Sequence, residues 1–254
     1  MAMREDSLVL VTPTHKADFS EQERVNLELS IGFNSNLTHW FLVPDYLDTM
    51  KISQMFSKSK IKKMPGRYFE SSKTYNNLML SEAFYEEFLE YKYLLILQTD
   101  ALLLRPVRSE DYISYDYIGA PWRKTLRICK FRGDLHANNK RLFWLPFLKV
   151  NVGNGGLSIR KVAVFIELLQ KSKLGKFDNR VWDGSHNEDF VFSYFLKKCS
   201  YRIPSKQTAR LIFLEEDFET CVEIPKVLGL HAPHKYNPVL AEELIQVLMR
   251  GSSA

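Results

Sequence analysis

The 254-residue sequence has no apolar run of the ~18–20 residues that a membrane-spanning helix requires. It holds only three cysteines, Cys129, Cys199 and Cys221, which are widely spaced and form no CxxC pair. These absences argue against a membrane span, a disulfide-stabilised scaffold and a zinc knuckle, and they favour a reducing compartment. No small-residue cleavage site follows the first apolar run, so we predict a strand there rather than a signal peptide.

Several catalytic motifs are also missing. The sequence contains no HExxH, which excludes a zincin, and neither GxGxxG nor GxxxxGK[ST], which excludes the Rossmann fingerprint and the Walker loop. It has no GxSxG elbow, and no cysteine has an obvious catalytic partner, so serine or cysteine hydrolysis has no support.

The organisation of the chain indicates one α/β domain over residues 1–254. No internal repeat, low-complexity tract or Pro/Gly-rich linker divides the sequence. Apolar runs bounded by turn residues alternate with helical patterns, which is typical of a mostly parallel central sheet flanked by helices. The main predicted strands lie at 7–14, 38–45, 93–106 and 116–122, and the main predicted helices at 21–32, 48–56, 81–91, 160–171, 188–198 and 240–249.

The net charge of +5 is mild, and the basic residues gather at 58–63 and 123–141. Such clusters are compatible with a solvated face, a nucleic-acid binder, a protein that handles diphosphates, or contact with an anionic membrane. Charge alone does not choose among them.

Asp100 interrupts the strongest apolar segment, YLLILQTDALLLRP at 93–106. A carboxylate within a buried strand is costly unless it is paired or bound to a cation, so we expect the strand to break there. Asp100 would then lie at the carboxyl edge of the sheet, where open α/β sheets bind ligands. With Gln98 it would form a Q-x-D unit for a divalent cation, although a simple turn explains the pattern too.

Two histidines, His231 and His234, follow a predicted strand in GLHAPHKYN. Imidazole is a ligand for Mn²⁺ as well as for softer cations, and the adjacent Lys235 can meet a phosphate as a point charge. A structural role for either histidine stays open.

Two further segments are candidates for chemistry. VGNGGLS at 152–158 places three glycines in four positions, which suits either close approach of a ligand or a plain tight turn. WDGSHNEDFVF at 182–192 places Asp183, His186, Glu188 and Asp189 before a helix predicted to be amphipathic. Acidic residues there complement the helix dipole, and they equally suit a general base.

Five blocks occur in order at 73–106, 115–122, 152–161, 187–192 and 229–237. Together they closely resemble a family of bacterial glycosyltransferases with a GT-A-like fold, largely of unassigned specificity. The resemblance covers roughly residues 8–237. It implies a nucleotide-sugar-binding half at 7–106, and an acceptor-binding half with a C-terminal metal-site segment at 107–254.

The resemblance also implies roles for individual residues. Asp100 and His231 would hold Mn²⁺ or Mg²⁺, and Gln98 departs from the Asp or Glu that many members carry. The nucleoside diphosphate sugar would lie against Thr12, Pro13, Thr14, Asn76, Gln98, Asp100 and Lys235. Trp122, Gly155, Gly156 and Asp183 would lie on the sugar and acceptor side. Glu188 and Asp189 would supply the base, with Asp183 as the next candidate.

We therefore expect a cytoplasmic transferase, peripheral at the inner face of the membrane. It would move a hexose-type sugar from a nucleotide sugar to a hydroxyl of a glycan or lipid-linked glycan. The alternative is a catalytically degenerate protein that binds nucleotide sugars without turnover, a hypothesis that Gln98 favours. Binding of nucleic acid is not expected, since only the basic clusters support it.

Overall fold

A computed structural model describes residues 7–129, 147–173, 187–216 and 226–251. In chain order the strands are β1 (Leu8–Pro13), β2 (Thr38–Pro44), β3 (Lys60–Met64), β4 (Tyr93–Leu97), β5 (Ala101–Leu103), β6 (Tyr117–Gly119), β7 (Pro121–Cys129), β8 (Phe147–Val152), β9 (Leu157–Lys161), β10 (Phe213–Leu214) and β11 (Gly229–His231). The helices are α1 (Glu21–Phe33), α2 (Met50–Met55), α3 (Ser72–Met79), α4 (Glu82–Glu86), α5 (Val162–Lys173), α6 (Glu188–Lys198), α7 (Lys206–Arg210), α8 (Pro233–Tyr236) and α9 (Pro238–Gly251).

The central sheet has six strands in the order β3-β2-β1-β4-β9-β6. Strands β1 to β4 pair in parallel, and β9 runs antiparallel to both β4 and β6. The predicted α/β class with a mostly parallel central sheet and flanking helices is confirmed. Two smaller sheets, β10-β11-β5 and β7-β8, accompany it.

Alternate residues of β1 divide the hydrophobic core between the two faces of the central sheet. Val9 and Val11 belong to one buried cluster, which includes residues of α3, α4, α5 and α6. Leu8 and Leu10 belong to a second cluster, which includes residues of α1 and α2. This period-2 division is the geometry of a strand covered by helices on both sides.

The strand order places a topological switch point between β1 and β4. From β1 the chain adds β2 and then β3 on one side, and it returns to add β4 on the other side of β1. Crossovers that leave on opposite sides open a crevice outside the carboxyl ends of the two strands, where open α/β sheets bind ligands. The segments at this crevice begin at Pro13 and Gln98, which are both parts of the predicted site.

Two predicted helices differ from the structure in instructive ways. α6 was expected to be amphipathic, but its residues from Phe190 to Leu196 are all buried, because the helix packs between β8 and α3. The helix predicted to start at Arg160 begins instead at Val162, and Arg160 belongs to β9. Among the described residues, no helix has the length and apolar character to cross a membrane.

A buried histidine links β1 to β2. His39 places Nε2 2.9 Å from Thr12 Oγ1 and Nδ1 2.8 Å from Ser59 Oγ. Burial lowers the pKa of His39 from its ordinary value of 6.5 to about 3. Its imidazole is therefore neutral at physiological pH, and the folded protein resists its protonation.

We expect this histidine to destabilise the fold in acid. Because the pKa of His39 is lower in the folded chain than in the unfolded chain, its contribution is full above pH 6.5. That contribution is lost as the pH falls towards 3, by up to about 1.4 kcal/mol per pH unit. Urea unfolding at pH 7.5 and pH 5 should show a smaller loss of stability in His39→Gln than in the wild type. Equal losses in the two proteins would contradict the assignment.

Candidate functional site

A cavity of about 680 Å³ lies at the carboxyl ends of β1 and β4. Pro13 and Thr14 line it from the end of β1, and Gln98, Thr99 and Asp100 line it from the turn between β4 and β5. The glycine-rich loop, the start of α6 and the end of β11 complete the walls. The structure thus brings together segments that are more than 200 residues apart in sequence.

The turn at 98–100 is fixed on both sides. The backbone N–H of Gln98 donates to Gly156 O at 2.9 Å, and Thr99 Oγ1 donates to Glu23 Oε1 at 2.7 Å. Burial alone would raise the pKa of Glu23, but hydrogen bonds from Lys16, Ser20 and Thr99 outweigh it and lower this pKa to about 2. An anionic carboxylate therefore holds the turn, while the side chain of Asp100 stays 53 % exposed to the cavity.

His231 lies at the centre of a cluster of oxygen atoms. Its Nε2 is 3.3 Å from Gln98 Oε1 and 3.6 Å from Asp100 Oδ1, and its Nδ1 is 3.1 Å from Glu215 Oε1. Of the two carboxylates beside the ring, Glu215 is the closer, so we assign Nδ1–H as the donor to Glu215. Nε2 then faces the oxygen atoms of Gln98 and Asp100. A cation at this point would contact all three atoms.

Neighbouring residues hold this cluster open. Asn154 Oδ1 accepts from the backbone N–H of Gly156 at 2.9 Å, and Asn154 Nδ2 lies 3.0 Å from His231 Nδ1. A Cβ atom built on Gly156 would overlap His231 Nε2 and Gln98 Oε1. Position 156 must be glycine because its backbone lies so close to His231 Nε2 and Gln98 Oε1. Any side chain there would overlap these two atoms.

The donor set suits a hard or borderline divalent cation, since it combines one carboxylate, one imidazole and one amide oxygen. Within the described residues, no group of three or more His, Cys, Asp or Glu side chains has the arrangement of a metal site. The chain would thus supply only part of a coordination shell around Asp100 and His231. Oxygen atoms of a ligand or of water would have to supply the rest.

The acidic pair at the start of α6 divides into two different environments. Glu188 is buried, and its Oε1 accepts from Arg160 Nη2 at 3.1 Å. Asp189 also lines the cavity but has no such cationic partner among the described residues. Burial, reinforced by the negative charge of Glu188, raises the pKa of Asp189 to about 7. Of the two carboxylates, Asp189 is therefore the one suited to exchange a proton near neutral pH.

Arg160 is fully buried beneath the cavity, and the sequence analysis missed its importance. Its guanidinium donates to Ser158 Oγ at 3.0 Å, to Tyr85 Oη at 2.9 Å and to Gly155 O at 3.2 Å, besides its bond to Glu188. The available signal was a cation within the strand LSIRK, on the same strand face as Ser158. One side chain thus ties the glycine-rich loop to the start of α6.

Other predicted residues line the same cavity. Asn76, on α3, donates from Nδ2 to Asn187 Oδ1 at 3.2 Å across the mouth of the site. Gly155 lies against Glu188, and a Cβ atom there would overlap the carboxylate. Sequence reasoning did not single out Glu23, Asn154 or Glu215, because each acts through contacts with residues far away in the chain.

Of the predicted site residues that the structure describes, three do not line the cavity. Thr12 is buried, and its hydroxyl group bonds to the side chain of His39 on the neighbouring strand β2. Lys235 is exposed, with Nζ 5.1 Å from the centre of the Tyr236 ring. Trp122 packs beside Gly153 against the core. Asp183, like its neighbour His186, lies outside the described residues.

A family model described as "Protein of unknown function (DUF5672)" matches residues 58–231, a stretch that runs from β3 to His231 and includes the turn at 98–100 and Asp189. No curated protein matches the chain.

The Arg160–Glu188 pair should be costly to break on one side only. Arg160→Met leaves a buried carboxylate without its cation, so we expect a loss of about 3–5 kcal/mol in the free energy of unfolding, measured in urea. Arg160→Met combined with Glu188→Gln should recover most of that loss. The control is Arg24→Met, which breaks an exposed 2.7 Å pair with Glu28 and should cost less than about 1 kcal/mol. Equal losses for the two arginines would refute the buried-pair assignment.

Proposed function

The chain belongs to the DUF5672 family, and from the geometry of its site we propose that it is a glycosyltransferase with a GT-A-like fold. The proposed reaction moves a sugar from a nucleoside diphosphate sugar to a hydroxyl group of a glycan or lipid-linked glycan. The observation that carries the proposal is the meeting, in one cavity, of the Gln98–Asp100–His231 cluster with Asp189, whose pKa is raised to about 7.

The position of the cavity supports a nucleotide donor. It lies at the switch point between β1 and β4, where α/β sheets bind nucleotides and related ligands. Thr14 and Asn76, which both line the cavity, would give the donor polar groups, and Pro13 lies beside Thr14. The sugar would then extend past Gly155 and Gly156, which line the same cavity.

Asp100 and His231, with the amide oxygen of Gln98, would hold a divalent cation such as Mn²⁺ or Mg²⁺ together with the diphosphate. Such a cation, when bound, offsets the negative charge that develops on the departing diphosphate. Glu215 fixes the imidazole of His231 through Nδ1, so that Nε2 stays directed at the cation position. Lys235 is exposed and does not line the cavity.

Asp189 would act as the general base on the acceptor. Its carboxylate accepts the proton of the acceptor hydroxyl as that oxygen bonds to the anomeric carbon. The bond between the anomeric carbon and the diphosphate oxygen breaks, and the diphosphate leaves with the electron pair. This step inverts the anomeric configuration. Glu188 is committed to Arg160, and its role is to raise the pKa of its neighbour.

Donor binding can be tested without knowing the acceptor. We expect a nucleoside diphosphate, found by a thermal-shift screen of the common bases, to raise the melting temperature more with Mn²⁺ than without it. A hundredfold excess over Kd corresponds to about 2.7 kcal/mol of stabilisation. Asp100→Asn and His231→Ala should lose the Mn²⁺-dependent part of the shift. His234→Ala is the control, because His234 lies outside the cavity lining.

Catalysis by Asp189 predicts a pH dependence. The base must be ionised, so kcat/KM should rise with pH to a plateau with a midpoint of about 7. Asp189→Asn should lower kcat by roughly 10²–10⁴-fold and remove that rise, while nucleoside diphosphate affinity stays unchanged. Steady-state kinetics with the identified donor and acceptor would measure both. A wild-type profile without this rise would exclude the assignment.

The alternative is a protein that binds nucleotide sugars without turnover. It is favoured by Gln98, whose neutral amide binds a cation less strongly than a carboxylate would. A nucleotide sugar that binds with Mn²⁺ but is neither transferred nor hydrolysed would select this alternative. Gln98→Asp would then be expected to tighten Mn²⁺ binding.

A further inference from the structure

A second cavity, of about 500 Å³, lies between β8, the end of α6 and the start of α7. Lys149, Lys197 and Lys206 line it, one from each of these elements, and we call it the lysine cavity. No aspartate or glutamate lines it in the part of the chain that the structure describes. Three cations around a concave surface without a carboxylate create a positive potential that attracts anions.

The three lysines are held differently. Lys206 donates from Nζ to the backbone oxygen of Arg123 at 2.7 Å, which fixes its ammonium at the wall of the cavity. Lys149 and Lys197 are exposed, and within the described residues no carboxylate lies within ion-pair distance of either. Among the described residues, no carboxylate competes with a ligand for these two cations.

The floor of the lysine cavity contains an unsatisfied polar atom. Lys149 and Asn151 alternate along β8 with Val150 and Val152, which are buried in the opposite direction. Asn151 Oδ1 is itself buried and has no hydrogen-bond partner among the described residues. A buried acceptor without a donor costs free energy, which a ligand hydroxyl group would recover once the Asn151 amide turned towards the cavity.

The remaining lining indicates the kind of ligand. Thr125, Ser205 and Gln207 add hydroxyl and amide groups, and Ile203 and Pro204 add apolar surface. No aromatic side chain lines the cavity within the described residues, so it lacks the stacking surface that a nucleobase would use. The volume lies within the range of small-molecule sites.

We propose that the lysine cavity binds an anionic saccharide, a sugar that carries a phosphate or carboxylate group. The acid group lies between Lys149 and Lys197, and a sugar hydroxyl donates to Asn151 Oδ1 after that amide turns towards the cavity. Since α6 carries Asp189 near one end and Lys197 near the other, about 12 Å apart along its axis, this ligand is the remote part of the acceptor. That last identification rests on the proposed function, whereas the binding site does not.

The test is calorimetric titration of the full chain at low salt, without nucleotide or metal. The probes are glucose 6-phosphate, glucuronate and glucose. We expect one or both anionic sugars to bind and glucose to bind at least about tenfold more weakly. Inorganic phosphate should bind more weakly than glucose 6-phosphate, because it lacks the hydroxyl group for Asn151. The affinity should fall as salt is added.

Variants locate the site. Lys149→Ala combined with Lys197→Ala should weaken binding at least about tenfold. Lys198→Ala is the matched control, since Lys198 shares the last turn of α6 but lies outside the cavity lining, with Nζ 5.4 Å from the centre of the Tyr194 ring. Both substituted lysines are exposed, and the single variant Lys197→Glu serves if the double variant does not fold.

The outcomes separate this proposal from the proposed function. Asp100→Asn should keep saccharide binding while it loses Mn²⁺-dependent nucleotide binding. The proposal is overturned if none of the anionic sugars binds, if Lys198→Ala weakens binding as much as the double variant, or if Asp100→Asn removes saccharide binding. It is also overturned if a single-stranded oligonucleotide binds more tightly than the sugars and loses affinity in the double variant.

Discussion

The buried ion pair between Arg160 and Glu188 is the interaction on which the site depends. Arg160 lies on β9, the antiparallel strand of the central sheet, and Glu188 begins α6. Because both groups are buried, neither can lose the other without a large desolvation penalty. Arg160 also bonds the carbonyl of Gly155, so the pair sets the distance between the glycine-rich loop and α6. Both of these segments line the cavity, so its shape depends on that distance.

The ion pair also affects the pKa of Asp189, the neighbour of Glu188. Burial and the negative charge of Glu188 raise the pKa of Asp189 more than the positive charge of Arg160 lowers it. The same effects that raise its pKa to about 7 make it a stronger base than an ordinary aspartate. On the facing side of the cavity, Glu215 uses the proton of His231 Nδ1 and leaves Nε2 for a cation. In both places a buried or hydrogen-bonded carboxylate sets the electrostatic environment of a neighbouring residue of the cavity.

Local patterns predicted the α/β class, the main strands and the break at Gln98–Asp100, because hydrophobic periodicity and the cost of burying a carboxylate act over a few residues. They also predicted that α6 would be amphipathic, which was wrong, because its burial depends on packing against β8 and α3. The positions of Thr12 and Lys235 were missed for the same reason. A pattern identifies a strand end, but the twist and register of the sheet decide which side chain reaches the crevice.

Residues that act through distant partners were beyond the reach of sequence patterns. Glu215 and Asn154 matter only because β11 pairs with β5 and so places His231 beside the turn at 98–100. That pairing joins residues about 130 positions apart, and the backbone N–H of Ala232 closes it by donating to Asp100 O at 3.1 Å. Ala232 adopts a left-handed φ of 48° to do so, which costs free energy in a residue other than glycine. The strained residue thus lies directly after His231 and bonds to Asp100, beside the position where the proposed cation would bind.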